Sequence, residues 1–116
     1  GKRNGVEILS PQTVESLTAR HRSGMKDRTF IHDLDWGLGF LVDSNHYGPD
    51  TVPYSFGRHC SMRTYGHGGR QSSSSFTDPE HSLVVTVVFN GMPGERKHND
   101  RIREINTAIY EDLGLT

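Results

Sequence analysis

The segment SLVVTVVF, residues 82–89, constrains the fold more than any other stretch of the chain. Its side chains are apolar at odd and even positions alike, so a strand built from it is apolar on both faces. Such a strand reads as central in a sheet, with a covering layer on each side. Leu, Ile, Val and Phe make up only about 22% of the 116 residues, just above the roughly 20% level associated with disorder. A chain this thin in core residues can supply one covering layer, and a second only with difficulty. The expectation is a fold that leans on another surface, either a missing part of the same protein or a second copy.

The flanking segments set the rest of the architecture. Ser10 is a good N-cap and Pro11 suits the first helical position, so a helix is expected over PQTVESLTARHR, with Val14 and Leu17 on one face and Ser23-Gly24 ending it. DWGLGFLVD alternates Trp36, Leu38, Phe40 and Val42 on one side, the period of a strand. Gly37 and Gly39 fall on the other side, where another group can approach the backbone. Residues 44–59 are rich in Pro, Gly, Asn and Asp and read as a long loop. Residues 72–77 can form a strand, and TDPEH is a turn leading into 82–89. Residues 95–113 carry Ile102, Ile105, Ile109 and Leu113 at helical spacing, with Gly114 as the stop. The fold class is α+β: an antiparallel sheet of about three strands, flanked by an N-terminal and a C-terminal helix. One domain over 1–116 is expected, in the order helix, strand, long loop, His-Gly-Gly strand, hairpin strand, terminal helix.

Charge and composition exclude several partners. The net charge is −1 and the 13 Lys and Arg are dispersed, without the basic stripe that nucleic-acid binding requires. No apolar run approaches the ~20 residues of a membrane span. The start, GKRNGVEILS, carries no apolar signal segment, so targeting is either absent or lies upstream. Cys60 is the single cysteine, which leaves no internal disulfide, no cysteine metal site and the compartment open. The seven histidines form neither His-x-His nor His-Glu-x-x-His spacing, so no metal and no cofactor is expected.

Chemistry concentrates in YGHGGRQSSSSF, residues 65–76. A Walker loop needs Gly-Lys-Ser/Thr, which is missing. A dinucleotide loop needs a third glycine where Gln71 stands, and a helix where an apolar strand pair begins. Two readings stay open: a flexible Gly/Ser linker, and a catalytic-wall strand. In the second, glycines let substrate lie along the backbone, N–H groups face an oxyanion and a basic side chain polarises the site.

The stretch from Tyr65 to Leu115 resembles the C-terminal end of the serine β-lactamase-like superfamily, which includes class C β-lactamases, penicillin-binding proteins and related esterases, and the resemblance covers nearly the whole chain. The matching features are the His67-Gly68-Gly69 strand opening, the Asp78-Pro79 hairpin, an apolar strand ending in Asn90 and a closing amphipathic helix. WGLGF resembles the strand that precedes this motif in the esterase-like branch. That family's site combines a Ser-x-x-Lys at a helix start, a Tyr-x-Asn or Ser-x-Asn, and a Lys-Thr-Gly strand. The resemblance puts His67, Gly68 and Gly69 at the third element, His67 in the lysine position, and makes the Arg70 backbone N–H the oxyanion donor. Gly68 lacks the hydroxyl that would hold a β-lactam carboxylate, which favours ester, amide or peptide substrates.

The other two elements are not matched. Ser23-Gly24-Met25-Lys26 fits Ser-x-x-Lys, but about 0.3 such strings arise by chance at this composition. It also lies at a helix end, not a start. No Tyr-x-Asn or Ser-x-Asn occurs. Ser72–Ser75 alternate along a strand and read as cleft lining or solvent-facing positions, without the strained elbow of a nucleophile. The resemblance therefore implies the C-terminal segment of a serine hydrolase, with the nucleophile outside this chain. The parent enzyme would act on a small-molecule or peptide acyl substrate, and the chain alone is expected to be inactive. The alternative is a non-catalytic binding module on the same fold.

Overall fold

The computed structural model describes residues 1–116. Two small hairpins stand apart from the main sheet: β1 (Lys2–Arg3) with β2 (Val6–Glu7), and β3 (Lys26–Asp27) with β4 (His32–Asp33). Between them runs α1 (Pro11–Thr18). The main sheet is antiparallel and follows chain order: β5 (Asp35–Trp36), β6 (Leu41–Val42), β7 (Tyr65–Gly69), β8 (Ser73–Asp78) and β9 (Leu83–Val88). The terminal helix α2 (Glu95–Asp112) covers one face. The α+β class, the antiparallel sheet and a helix towards each end are as the sequence indicates.

The sheet has five strands because two expected segments fold as hairpins. DWGLGFLVD is not one strand. It turns at Gly37–Phe40, closed by Gly37 N–H to Phe40 O at 2.8 Å, with Gly39 at φ +82°. The group that approaches Gly37 is the backbone of Leu17 and Ala19 at the end of α1. Residues 65–77 likewise split into β7 and β8 around a turn at Arg70–Ser72, with Gln71 at φ +50°.

The helix α1 begins as expected, with Ser10 Oγ accepting from Thr13 N–H at 3.1 Å. It stops at Thr18, four residues early, because Arg22 pairs with Trp36 through backbone bonds of 2.9 and 3.0 Å. None of its residues is buried.

In β9, Leu83, Val85 and Val87 face the core, and Val85 packs with Phe76 and Tyr110 in the central cluster. Val84 and Val88 remain 69% and 75% exposed. The strand is therefore an edge strand with one bare face, not a central one. The covering layer implied by its sequence is not supplied within these residues.

Helix α2 also differs from its hydrophobic pattern. Its buried face is His98, Ile102, Asn106 and Tyr110, spaced four apart, while Ile105 and Leu113 lie outside. Part of this polar face is partnered: Asn106 Nδ2 donates to Ser55 O at 3.0 Å, and Tyr110 Oη donates to Asp78 Oδ2 at 2.8 Å, whereas His98 Nε2 and Asn106 Oδ1 are buried without a partner. Gly114, at φ +68°, ends the helix with Leu115 N–H bonded to Tyr110 O at 2.9 Å. Residues 44–59 contain only a short 3-10 turn at Asn45–Tyr47, yet deliver Val52, Tyr54 and Phe56 to the core.

Candidate active site

The strand β7 is paired along its whole length to β8 but to β6 only at Tyr65 and Gly66. Past Gly66, one edge of β7 is open. Alternation fixes what points there. Thr64 O accepts from Asp43 N–H at 2.8 Å, on the β6 side. Residues two and four further on, Gly66 and Gly68, direct their amide groups the same way. Gly68 O is taken by His67 Nδ1 at 2.7 Å. A carbonyl only accepts, so Nδ1 of His67 carries the proton and Nε2 is left for other partners. The N–H groups of Gly68 and of Arg70, in the turn, engage no acceptor. His67 is exposed, with the Trp36 ring 5.8 Å away.

A cleft of about 330 Å³ opens beside this edge, lined by Thr29, Phe30, Leu41, Tyr54, His67, Gly68, Arg70 and Glu95. Its walls come from five separate parts of the chain. Asp27 shapes the Thr29–Phe30 wall by accepting from both their N–H groups, at 2.8 and 3.1 Å, and from Trp36 Nε1 at 3.1 Å. Burial alone would raise the Asp27 pKa, but these amides and the Arg22 guanidinium hold it below the usual carboxylate value. Phe30 then meets the Tyr54 ring edge-on at 5.3 Å. Tyr54 Oη donates to Glu95 Oε2 at 2.9 Å, and Gln71 Nε2 donates to Glu95 Oε1 at 3.1 Å. Gln71 Oε1 in turn accepts from Gly94 N–H at 3.0 Å. The start of α2 is thereby tied to the turn that carries Arg70. Burial and the Glu95 bond both push the Tyr54 phenol above its ordinary pKa.

Gly68 has no room for a side chain. A Cβ there would overlap the Tyr54 ring. Its φ is not in the left-handed region, so space and not backbone conformation requires the glycine. Gly68→Ala is expected to destabilise the chain by about 1–3 kcal/mol through overpacking, read as a lower midpoint in urea unfolding. Combined with Tyr54→Ala it should add little further loss. Equal losses in both backgrounds would mean that the ring is not the obstacle.

The remaining candidates lie elsewhere. Ser23 is exposed in the segment after α1, and Lys26 begins β3. Ser74 is buried, and Ser75 Oγ pairs with Thr86 Oγ1 at 2.9 Å. No lysine or histidine hydrogen-bonds to Ser23 or to Ser72–Ser75. Cys60 is no nucleophile either: burial and the neighbouring Asp43, whose Oδ1 it bonds at 3.2 Å, push its thiol pKa far up. No three His, Cys, Asp or Glu side chains converge as a metal site would require. Tyr54, Phe30 and Glu95 lie in no sequence motif, and an aromatic residue inside a polar loop is the one signal that could have found Tyr54.

The chain matches the model of the beta-lactamase family over residues 1–108. It belongs to that family. It is 31% identical over 85 residues to a protein of Escherichia coli O157:H7 named "Putative D-alanyl-D-alanine carboxypeptidase", and 29% identical to its counterpart in strain K12. Each match covers 73% of this chain and 17% of the relative, so the chain spans about a sixth of the curated relatives' length. Among solved structures it resembles a β-lactamase from Mycobacterium bovis, with a TM-score of 0.70 at 22% identity, covering 91% of this chain and 38% of that one. It also resembles EstA from Arthrobacter nitroguajacolicus, with a TM-score of 0.54 at 24% identity, covering 88% and 26%. These likenesses establish a serine-hydrolase-like fold. No helix is long and apolar enough to cross a membrane.

Proposed function

We propose that the 116 residues form the C-terminal wall of a β-lactamase-family serine hydrolase whose nucleophile lies outside this chain. The observation that carries this reading is the open edge of β7, with the N–H groups of Gly68 and Arg70 free beside a cleft that contains His67. In the reaction envisaged, a serine oxygen from the complementary part attacks the acyl carbonyl of an ester, amide or β-lactam. Electrons move onto the carbonyl oxygen, and the Arg70 N–H donates to that oxyanion. The alkoxide or amine leaves with a proton, and water then releases the acyl group from serine. His67, with Nδ1 held by Gly68 O, presents Nε2 to the cleft as the electrostatic or proton-transfer group.

The printed names of the relatives, a carboxypeptidase, a β-lactamase and an esterase, support an acyl substrate without choosing among them. The Tyr54 ring packed against Gly68 supports substrates that need no hydroxyl contact at that position. The test is turnover of nitrocefin and p-nitrophenyl acetate by the chain alone and by a longer polypeptide that adds a Ser-x-x-Lys helix. Turnover by the longer polypeptide only is expected. Turnover by the 116 residues would overturn the reading.

One observation favours the second reading, a binding module without chemistry: the chain holds a cleft of about 330 Å³ but no serine hydrogen-bonded to a lysine or histidine. Trp36, the single tryptophan, lies beside His67 and reports on occupancy by fluorescence. Saturable binding of an acyl ligand by the chain, with no turnover by the longer polypeptide, would select the module.

A further inference from the structure

The turn that carries Arg70 holds a glutamine where the backbone favours glycine. Gln71 sits at φ +50°, in the left-handed region that costs a residue with a Cβ more than it costs glycine. It is the third residue of a turn closed by Ser72 N–H to Gly69 O at 3.3 Å. A positive φ at that position selects glycine or asparagine. Another residue persists there when its surroundings over-determine the conformation.

For Gln71 those surroundings are α2 and the residue before it. The side-chain amide donates from Nε2 to Glu95 Oε1 at 3.1 Å and accepts at Oε1 from Gly94 N–H at 3.0 Å. The backbone carbonyl accepts from Arg101 Nη2 at 2.8 Å, and the same nitrogen donates to Gly91 O at 3.0 Å. The Arg101 guanidinium lies over the Phe89 ring, 3.9 Å from its centre. Glu95 is itself fixed, because Tyr54 Oη donates to its second oxygen at 2.9 Å. As the first residue of α2 it also carries its negative charge where a helix favours one. Glycine at position 71 would suit the backbone and make neither side-chain contact.

These contacts bear on the residue next in the chain. In the reaction envisaged above, the Arg70 N–H donates to the carbonyl oxygen as it becomes negative. Such a donor is worth most when its direction is set before the charge develops. Arg70 is held on its β7 side by the pairing of Gly69 with Ser73. On its other side it is held by whatever fixes Gln71. A turn with glycine at that place could take the left-handed conformation and also leave it, whereas the amide of Gln71 ties the turn to the rigid start of α2.

We propose, resting on the hydrolase reading, that Gln71 is a positioning residue: its side-chain amide, locked to Gly94 and Glu95, aims the Arg70 N–H at the developing oxyanion. The test uses the longer polypeptide that adds a Ser-x-x-Lys helix, with p-nitrophenyl acetate as substrate. Q71G keeps the turn conformation accessible and removes both side-chain contacts. Its kcat should fall at least about fivefold with KM within about twofold, because a misaimed donor costs part of the factor of about 10²–10³ that a lost one costs. Q71E sets a carboxylate against Glu95 and should lose at least as much. Q71E/E95Q exchanges donor and acceptor across the same contact, leaves Gly94 N–H and Tyr54 Oη an acceptor each, and should recover most of the parent kcat. Parent-like kcat in both Q71G and Q71E would overturn the assignment and leave the hydrolase reading standing. So would a Q71E/E95Q variant no faster than Q71E, or losses of kcat that only follow the unfolded fraction read by circular dichroism. No turnover by the parent polypeptide would instead overturn the hydrolase reading, and this assignment with it.

Discussion

Asp78→Ala should lower the stability of the chain by about 3 kcal/mol or more, a larger loss than that of Gly68→Ala. Asp78 is fully buried. Its two oxygens accept from Ser61 N–H at 2.9 Å, Ser61 Oγ at 2.7 Å, Tyr110 Oη at 2.8 Å and His81 Nδ1 at 2.8 Å. The carboxylate joins the end of β8, the loop before β7 and the buried face of α2. Alanine leaves the Ser61 and Tyr110 donors inside the core without an acceptor, and such orphaned groups are expensive. Denaturant unfolding checks the size of the loss. A loss below about 1 kcal/mol would mean that water or a neighbour satisfies those donors.

The same carboxylate sets an acid limit. Burial would raise the Asp78 pKa, but the donors from Ser61, His81 and Tyr110 prevail and hold it well below the usual aspartate range. A depressed folded-state pKa contributes stability that is fully present above the unfolded value of about 3.9. That stability is lost as pH falls through the folded value. Asp27 is depressed as well and adds in the same direction. Stability should therefore fall steeply below about pH 4 in the wild-type chain and less steeply in Asp78→Asn.

The second large effect belongs to His67 in a longer polypeptide that carries the complete site. An electrostatic or proton-transfer group at this position is commonly worth a factor of about 10²–10⁴ in rate. His67→Ala should slow serine acylation at least about tenfold, a floor below that range. His67→Lys should keep part of the rate with a different pH profile, because an ammonium holds its charge through neutrality where an imidazole can change it. Acylation by His67→Ala at the parent rate at every pH would remove His67 from the mechanism and leave the neighbouring glycines a role in shape alone.

The legible parts of this fold were those decided by neighbours in sequence. Ser10-Pro11 starts a helix, Gly114 ends one, and Asp78-Pro79 turns the chain into the apolar strand β9. The hairpin at Gly37–Phe40 was not legible, because four alternating apolar residues suit one strand or two short ones. The turn was settled by Gly39 and by the backbone of α1 packed on Gly37. The bare face of β9 illustrates a different limit. A two-sided apolar pattern states what a strand can bury, and not whether the chain itself provides the cover. On α2 the pattern misled, since Asn106 and His98 entered the core while Ile105 and Leu113 stayed out. For Asn106 the burial rests on a partner distant in sequence, Ser55 O.

The candidate site divides in the same way. His67-Gly68-Gly69 and Arg70 form a contiguous string, of which His67, Gly68 and Arg70 line the cleft and Gly69 does not. Tyr54, Phe30 and Glu95 reach the cleft from a loop, a small hairpin and a helix start, and only folding brings them together.

The central claim is that this chain holds the wall of an acyl-transfer site and no nucleophile. The most direct measurement is the intact mass of the pure 116-residue chain after exposure to an excess of fluorophosphonate probe. The expected result is the unmodified mass. A stoichiometric adduct on Ser23, or on any of Ser72–Ser75, would contradict the claim and place the nucleophile within the chain.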